Sequence, residues 1–344
     1  MFKDAVCFDD VLLVPQKSDI KSREEIDLST KLGKKKFRLP IISSPMDTVT
    51  ESEMALAMFA AGGLGVIHRY NTPQQQCKLI RDVAHKLEET NSTDINNIAA
   101  AIGTSSDFES RAKSLFACGT RILCIDVAHG HHTLVERSIK TLKDIFADSI
   151  TIIAGNIATP EAFKDLSEWG ACAIRIGIGG GSICSTRIQT GHGMPTLQSV
   201  LDCRDASDAS IIADGGIKSA GDIVKSLASG ADMVMLGSML AGTKQTPGEV
   251  FQSSDNKRYK VYRGMASPEA QIAWRGKARS LEGISTTVPY KGEVEEILFK
   301  LDRNIKSGLS YTGARNLTEF QAKSRFIRQT ASGLLESRTH ILNK

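Results

Sequence analysis

Ile150-Thr-Ile-Ile-Ala154-Gly-Asn156-Ile-Ala-Thr159-Pro160-Glu161-Ala-Phe-Lys-Asp-Leu-Ser-Glu-Trp169-Gly-Ala171-Cys-Ala-Ile-Arg-Ile176-Gly177-Ile-Gly-Gly-Gly-Ser182-Ile-Cys184-Ser-Thr186-Arg187 reads as one strand–helix–strand unit that runs into a glycine-rich turn. Ile150–Ala154 and Ala173–Ile176 are short apolar runs with strand character. Between them, Thr159-Pro160-Glu161 is a helix start, with a capping threonine and proline in the first turn, and predicts a helix over Pro160–Trp169. The turn after the second strand places Cys184 among glycines, whose freedom lets main-chain N–H groups approach an anion or a polarised carbonyl. Those dipoles, with Arg187 close by, favour the nucleophilic thiolate. Taken alone, the same turn also reads as a connector around a buried, inert thiol.

The rhythm repeats along the chain. Strand-like segments occur at Leu39–Ser43, Leu64–His68, Ile98–Ile102, Ile122–Val127, Ile211–Ala213 and Met233–Leu236, and helical patterns at Ser52–Ala61, Pro73–Leu87, Asp107–Cys118 and His132–Phe146. The strands are nearly continuous apolar runs, as expected when both faces of a sheet are buried. Eight such units fit an α/β fold of the (β/α)8 TIM-barrel type, with a doubly wound open sheet as the alternative. The barrel is preferred because polar, chemically versatile residues follow nearly every strand: Ser44-Pro-Met-Asp47, His68-Arg69, Gly103-Thr104, Asp126-Val-Ala-His129, Gly155-Asn156, the cysteine turn, Asp214-Gly-Gly216 and Gly237-Ser238. In a barrel these converge on one rim, and the turns after the last two strands are where such barrels hold a phosphate.

Composition narrows the class. The 344 residues are 41% hydrophobic and 24% charged, ordinary for a soluble globular protein, and no apolar run is long enough to span a membrane. Met1-Phe-Lys-Asp does not begin a signal peptide. The seven cysteines are scattered, which fits a reducing cytoplasm and neither a disulfide framework nor a zinc site. The formal charge of +4 gives no indication of nucleic acid binding. His129, His131 and His132 lack a chelating helical spacing and read as loop decoration.

After the last unit, residues 262–292 lose the strand–helix rhythm and read as an irregular, glycine-bearing lid. Helical patterning resumes over Asp302–Ser307 and Leu317–Arg328. No second domain is apparent, so residues 1–344 are expected to form a single catalytic domain.

Phe8-Asp-Asp-Val-Leu-Leu13, Ser43-Ser-Pro-Met-Asp-Thr-Val-Thr50, Gly179–Arg187, Ala213-Asp-Gly-Gly216, Val288-Pro-Tyr-Lys-Gly292 and Tyr311-Thr-Gly-Ala314 together resemble the IMP dehydrogenase/GMP reductase family, in order and over nearly the whole chain. The resemblance implies a homotetrameric barrel that binds a purine nucleotide monophosphate and a nicotinamide cofactor, with a covalent thioimidate between Cys184 and purine C2. It assigns Thr186 and Glu282 to proton transfer. Ser44, Ser182, Asp214, Gly215, Gly216, Gly237, Ser238, Tyr262, Gly264 and Met265 are assigned to the nucleotide. Asp126, Ala128, Asn156, Gly177 and Gly179 are assigned to the cofactor. Backbone carbonyls of Gly179, Gly181 and Cys184 are candidates to ring a potassium ion.

Two reactions are open within that resemblance. The dehydrogenases usually carry an inserted pair of CBS modules and a long flap with an Arg-Tyr pair that activates water. Here the insert is absent, and the stretch from Met265 to Glu282 is short and holds Arg275 and Arg279 but no Arg-Tyr dipeptide. Thr190-Gly-His-Gly193 also resembles the reductases, whereas Met46-Asp-Thr-Val-Thr-Glu51 and Ala331-Ser-Gly-Leu-Leu-Glu-Ser337 resemble the dehydrogenases. The resulting expectation is NADPH-dependent reductive deamination of GMP to IMP and ammonia. The alternative is oxidation of IMP with NAD+ and water.

Overall fold

Residues Ile41–Ser43 (β1), Leu64–Ile67 (β2), Ala99–Ile102 (β3), Ile122–Asp126 (β4), Thr151–Ile157 (β5), Ala173–Ile176 (β6), Ser210–Asp214 (β7) and Met233–Leu236 (β8) are parallel strands that close on themselves, β8 pairing with both β7 and β1. The computed structural model describes residues 3–90, 95–105, 107–254, 256–278 and 281–337. The expected (β/α)8 barrel is therefore present, with helices α1 (Ser52–Ala61), α2 (Pro73–Glu89), α3 (Phe108–Ala117), α4 (Thr133–Phe146) and α5 (Pro160–Trp169) between the first six strands. Thr159 caps α5 as its sequence implies, its Oγ1 accepting the Ala162 N–H at 3.3 Å.

Alternation along the strands produces two apolar layers. Ile42, Leu64, Val66, Ala99, Ala101, Ile122, Cys124, Ile153, Ala173, Ile212, Met233 and Met235 form one cluster that fills the barrel, together with Leu32 and Phe37 from an N-terminal hairpin. Their neighbours Ile41, Ile67, Ala100, Ile102, Leu123, Ile152 and Ile174 belong to the second cluster, shared with the helices. Close approach is built in: a Cβ on Gly65 would lie 2.6 Å from the Cα of Ala55, so α1 rests directly on β2.

Two expected segments differ. Residues 262–292 are not wholly irregular: Arg258–Arg263 (β9) pairs antiparallel with Ser285–Pro289 (β10), and Pro268–Arg275 forms a helix (α6) between them. Alternating burial in β9, with Lys260 and Tyr262 inside, supplies the period-two pattern that the glycine content obscures. The helix expected over Leu317–Arg328 stops at Lys323, because Phe326–Arg328 extends to pair with Val11–Leu13, a long-range partner that no local propensity reports.

At the base of the barrel Asp232 accepts the Ile211 N–H at 2.7 Å, and burial pushes its carboxyl up to about 6. A folded-state value above the unfolded one means that stability is fully present at low pH and is lost as pH rises through about 6. Asp232→Asn keeps an acceptor for Ile211 and removes the buried charge. It is expected to stabilise the protein by about 1–3 kcal/mol at pH 8 and by almost nothing near pH 4. Equal melting temperatures of variant and parent at pH 8 would contradict this.

Candidate functional site

At the end of β6 the chain turns sharply under β7. Gly177 has φ +148°, and a Cβ there would come within 1.8 Å of the Asp214 carbonyl oxygen, so no other residue fits. Gly215 and Gly216, with φ +88° and +79°, bring the turn after β7 against Gly180 and Gly181. The two glycine-rich turns thus touch and expose their main-chain donors to one space. Gly237 and the side chains of Ser44, Ser182 and Tyr262 join them. A Cβ on Gly237 would lie 3.0 Å from Tyr262 Oη and 3.6 Å from Ser44 Oγ, and Ser182 stands beside the Tyr262 hydroxyl. Burial pushes the Tyr262 phenol up to about 12, so it remains a neutral donor at physiological pH.

The 262–292 segment is sewn to the cysteine turn by main-chain contacts. Ile284 N–H donates to the Ile183 carbonyl at 3.0 Å, Ser185 N–H to the Glu282 carbonyl at 3.1 Å, and Cys184 forms an antiparallel bridge with Gly283. This register delivers the Glu282 side chain to Thr186. Cys184 Sγ donates to Thr186 Oγ1 at 3.2 Å, and that hydroxyl donates to Glu282 Oε2 at 2.8 Å. Residues 98 positions apart at their extremes therefore form one continuous proton path ending at a thiol. Arg187, expected beside the sulfur, instead donates to the Met194 carbonyl at 2.7 Å and is absent from the cavity wall.

Below the mouth, Arg175 stands in the middle of the charge arrangement. Its side chain is only 7% exposed; Nη1 donates to Asp126 Oδ1 at 2.7 Å and Nη2 to Asp214 Oδ2 at 2.8 Å. Desolvation alone would raise the Asp126 carboxyl, but the charges of Arg175 and Arg69 outweigh it and hold the group below the usual carboxylate range. Asn156 Nδ2 donates to the Gly177 carbonyl and to Asp214 Oδ2, both at 2.8 Å, while its Oδ1 is buried without a hydrogen-bond partner.

These groups surround one cavity of about 400 Å3. The residues singled out from the sequence all line it: Cys184, Thr186 and Glu282, the ten assigned to the nucleotide, the five assigned to the cofactor, and Gly181. The sequence reading missed Arg175, Tyr70 and Gln271, which line it as well. A charged residue inside the otherwise apolar run Ala173–Ile176 was the available signal for Arg175. Nothing local marks Tyr70, which reaches the site by stacking on Trp274 of α6 with ring centroids 4.3 Å apart. Arg275 lies on the cavity wall, and Arg279 lies outside the described residues. The three loop histidines diverge: His132 caps α4 through Nδ1, His131 pairs with Asp165 at 2.8 Å, and His129 is exposed.

Comparison with known proteins follows the same outline. A family model described as the IMP dehydrogenase / GMP reductase domain matches residues 5–340. An inosine-5'-monophosphate dehydrogenase from Nitrosopumilus maritimus is 34% identical, covering 98% of both chains, and a GMP reductase from Leishmania major is 32% identical, covering 99% of this chain and 98% of its own. Among solved structures, a Trypanosoma brucei GMP reductase variant in complex with guanosine 5'-monophosphate superposes with a TM-score of 0.91 at 29% identity, covering 98% of each chain.

Proposed function

Since the chain belongs to the IMP dehydrogenase/GMP reductase family of oxidoreductases, we propose that it catalyses the reductive deamination of GMP to IMP and ammonia, using NADPH. The observation that carries this reading is the path Cys184 Sγ–Thr186 Oγ1–Glu282 Oε2. Expelling ammonia demands a proton at the amino group, and a carboxyl relayed through a hydroxyl is suited to supply it.

The nucleotide phosphate would meet the main-chain N–H groups of Ser182, Gly215, Gly216, Gly237 and Ser238 and the Tyr262 hydroxyl. The hydrogen bonds made to Asp214 by Arg175 and Asn156 fall on Oδ2, which leaves Oδ1 to accept from the ribose hydroxyls. The Cys184 proton passes through Thr186 to Glu282, and the sulfur bonds to purine C2. Glu282 returns that proton through Thr186 to the amino group, the C2–N bond breaks, and ammonia departs from a thioimidate. A reduced nicotinamide, if bound there, would supply the hydride that C2 needs. Cys184 then leaves with its bonding electrons, releasing IMP. The residues fit such a cofactor: the buried, unpartnered Asn156 Oδ1 is an acceptor for a carboxamide N–H, and Asp126, held ionised by Arg175 and Arg69, stands beside it on the cavity wall. Potassium binding by the Gly179, Gly181 and Cys184 carbonyls belongs to the same proposal, although the Gly181 carbonyl already accepts the Cys184 N–H at 3.2 Å.

The missing insert does not discriminate between the reactions. Alignments to the dehydrogenase and the reductase relatives extend over 471 and 481 positions, far beyond the 344 residues here, so both carry insertions that this chain lacks. Oxidation of IMP with NAD+ is the second reading, favoured by the 34% identity to a dehydrogenase. Incubation with GMP plus NADPH, and separately with IMP plus NAD+, decides between them by the absorbance of the reduced nicotinamide. Loss of absorbance with release of ammonia supports the proposal; a gain from IMP overturns it. Within the reductase reading, Glu282→Gln is expected to lower kcat by about 10²–10⁴-fold with little change in GMP affinity. A variant as fast as the parent would remove Glu282 from the proton path.

A further inference from the structure

Every group assigned to the nucleotide phosphate is uncharged: Ser182, Gly215, Gly216, Gly237, Ser238 and the neutral Tyr262 phenol. The cations on the cavity wall are engaged elsewhere. Arg175 pairs with Asp126 and Asp214, Arg69 pairs with Asp126, and the Arg275 guanidinium lies 5.2 Å from the Trp274 ring centroid. Lys218, two residues beyond Gly216, pairs with Asp9 at 3.3 Å. A phosphate dianion seated on these turns still needs a fixed counter-charge.

Lys291, just beyond β10, lies behind one of them. Its Nζ donates to the carbonyls of Ser238 at 2.8 Å and Met239 at 3.1 Å. Gly237 and Ser238 are on the cavity wall, whereas Lys291 is not. Its main chain is fastened independently of the ammonium: Lys291 N–H donates to the Gly242 carbonyl at 2.8 Å, and the Gly292 carbonyl accepts the Lys244 N–H at 2.8 Å. Gly242 has φ +83°, and a Cβ there would lie 2.4 Å from the Pro289 carbonyl oxygen, so the end of β10 seats directly on this loop. Lys260 of β9 secures the far end of the same loop. Its buried ammonium donates to the carbonyls of Thr243 and Lys244, each at 3.3 Å, and to that of Thr246.

We propose, on the reading that the cavity holds a purine nucleotide, that Lys291 is a positioning residue for its phosphate. Acting through the Ser238 and Met239 peptides, it makes the site select a phosphorylated purine over the nucleoside. An ammonium on a carbonyl polarises that peptide and strengthens its N–H as a donor, and the Ser238 carbonyl shares its peptide with the Met239 N–H. The same two hydrogen bonds keep the turn's carbonyls outside, which leaves the Ser238 N–H to the phosphate. The positive charge sits one peptide layer behind the anion, where the protein screens it less than water does.

The test is calorimetric titration of the full chain with GMP and with guanosine, melting temperature registering the fold. Lys291→Met is expected to raise the GMP Kd about tenfold and to change the guanosine Kd by less than about twofold. Lys291→Gln, which still donates to a carbonyl but carries no charge, is expected to follow the methionine variant, and Lys291→Arg to stay within about threefold of the parent. Raising the salt from about 0.05 to about 0.5 M should weaken GMP binding by the parent more than by the glutamine variant. Equal losses for GMP and guanosine would reduce Lys291 to a structural residue and overturn the proposal, as would a glutamine variant that binds GMP like the parent. Should the methionine variant fail to fold, the glutamine variant and the salt dependence decide. A parent that binds neither GMP nor IMP removes the nucleotide reading itself, and this proposal with it.

Discussion

Replacing Cys184 with alanine is expected to lower kcat by about 10⁴-fold or more while changing GMP affinity by less than about threefold. The asymmetry follows from the division of labour in the cavity. Cys184 is the one thiol on its wall among the described residues; the other sulfurs there, those of Met46, Met235 and Met265, are thioethers that cannot open a covalent path. In the proposed function, binding rests instead on main-chain donors of the glycine turns and on Asp214, none of which depends on the Cys184 side chain. Cys184→Ser sharpens the test, because a hydroxyl preserves the contact to Thr186 yet is a much weaker nucleophile at neutral pH. Stopped-flow measurement of nicotinamide oxidation, with calorimetric titration of GMP, gives both numbers. Serine and alanine variants that turn over near the parent rate would exclude covalent catalysis.

Arg175→Met carries the largest expected effect on stability, a loss of about 3–5 kcal/mol at pH 7. Removing the guanidinium leaves Asp126 and Asp214, only 16% and 14% exposed, facing each other across a space that methionine fills without charge. Arg69, at 3.4 Å from Asp126, partly compensates for one of them. The pH dependence has a definite sign. Asp126 is held below its ordinary value in the folded parent, so its contribution is present above about pH 4 and is lost as pH falls through the depressed folded value. In the variant only burial and Arg69 act on Asp126. The gap between parent and variant in urea unfolding should therefore be widest at neutral pH and close under acid conditions. A gap that is constant from pH 3 to pH 8 would mean that packing, not charge, accounts for the loss. Arg175→Lys is expected to recover part of the stability, since an ammonium supplies charge but cannot donate to both carboxylates in the guanidinium's geometry.

The chain's own order of residues determined a great deal. Near-continuous apolar runs such as Ile122–Val127 and Ala173–Ile176 can be satisfied only in a sheet buried on both faces, and their recurrence with helices between them demanded a parallel architecture. Caps such as Thr159-Pro160 marked helix starts, and glycines with a reactive side chain after each strand announced one catalytic rim. Cys184, Asp214 and Asn156 were legible for that reason: Asn156 and Asp214 lie at the C-terminal ends of strands and Cys184 in the turn that follows one, where local periodicity already fixes direction.

What tertiary structure alone decided are the pairings between distant segments. Glu282 reaches Thr186 only because the return strand of the 262–292 segment bridges to Cys184, and no pattern along the chain encodes that register. Phe326–Arg328 becomes a strand because Val11–Leu13 is there to receive it. Arg187 sits three residues from the thiol and turns away, while Arg175, inside a strand, turns into the barrel and neutralises two acids. The physical reason is common to all of these: periodicity reports which face of an element is apolar, but a hydrogen bond or ion pair depends on the position of a partner that only closure of the chain supplies.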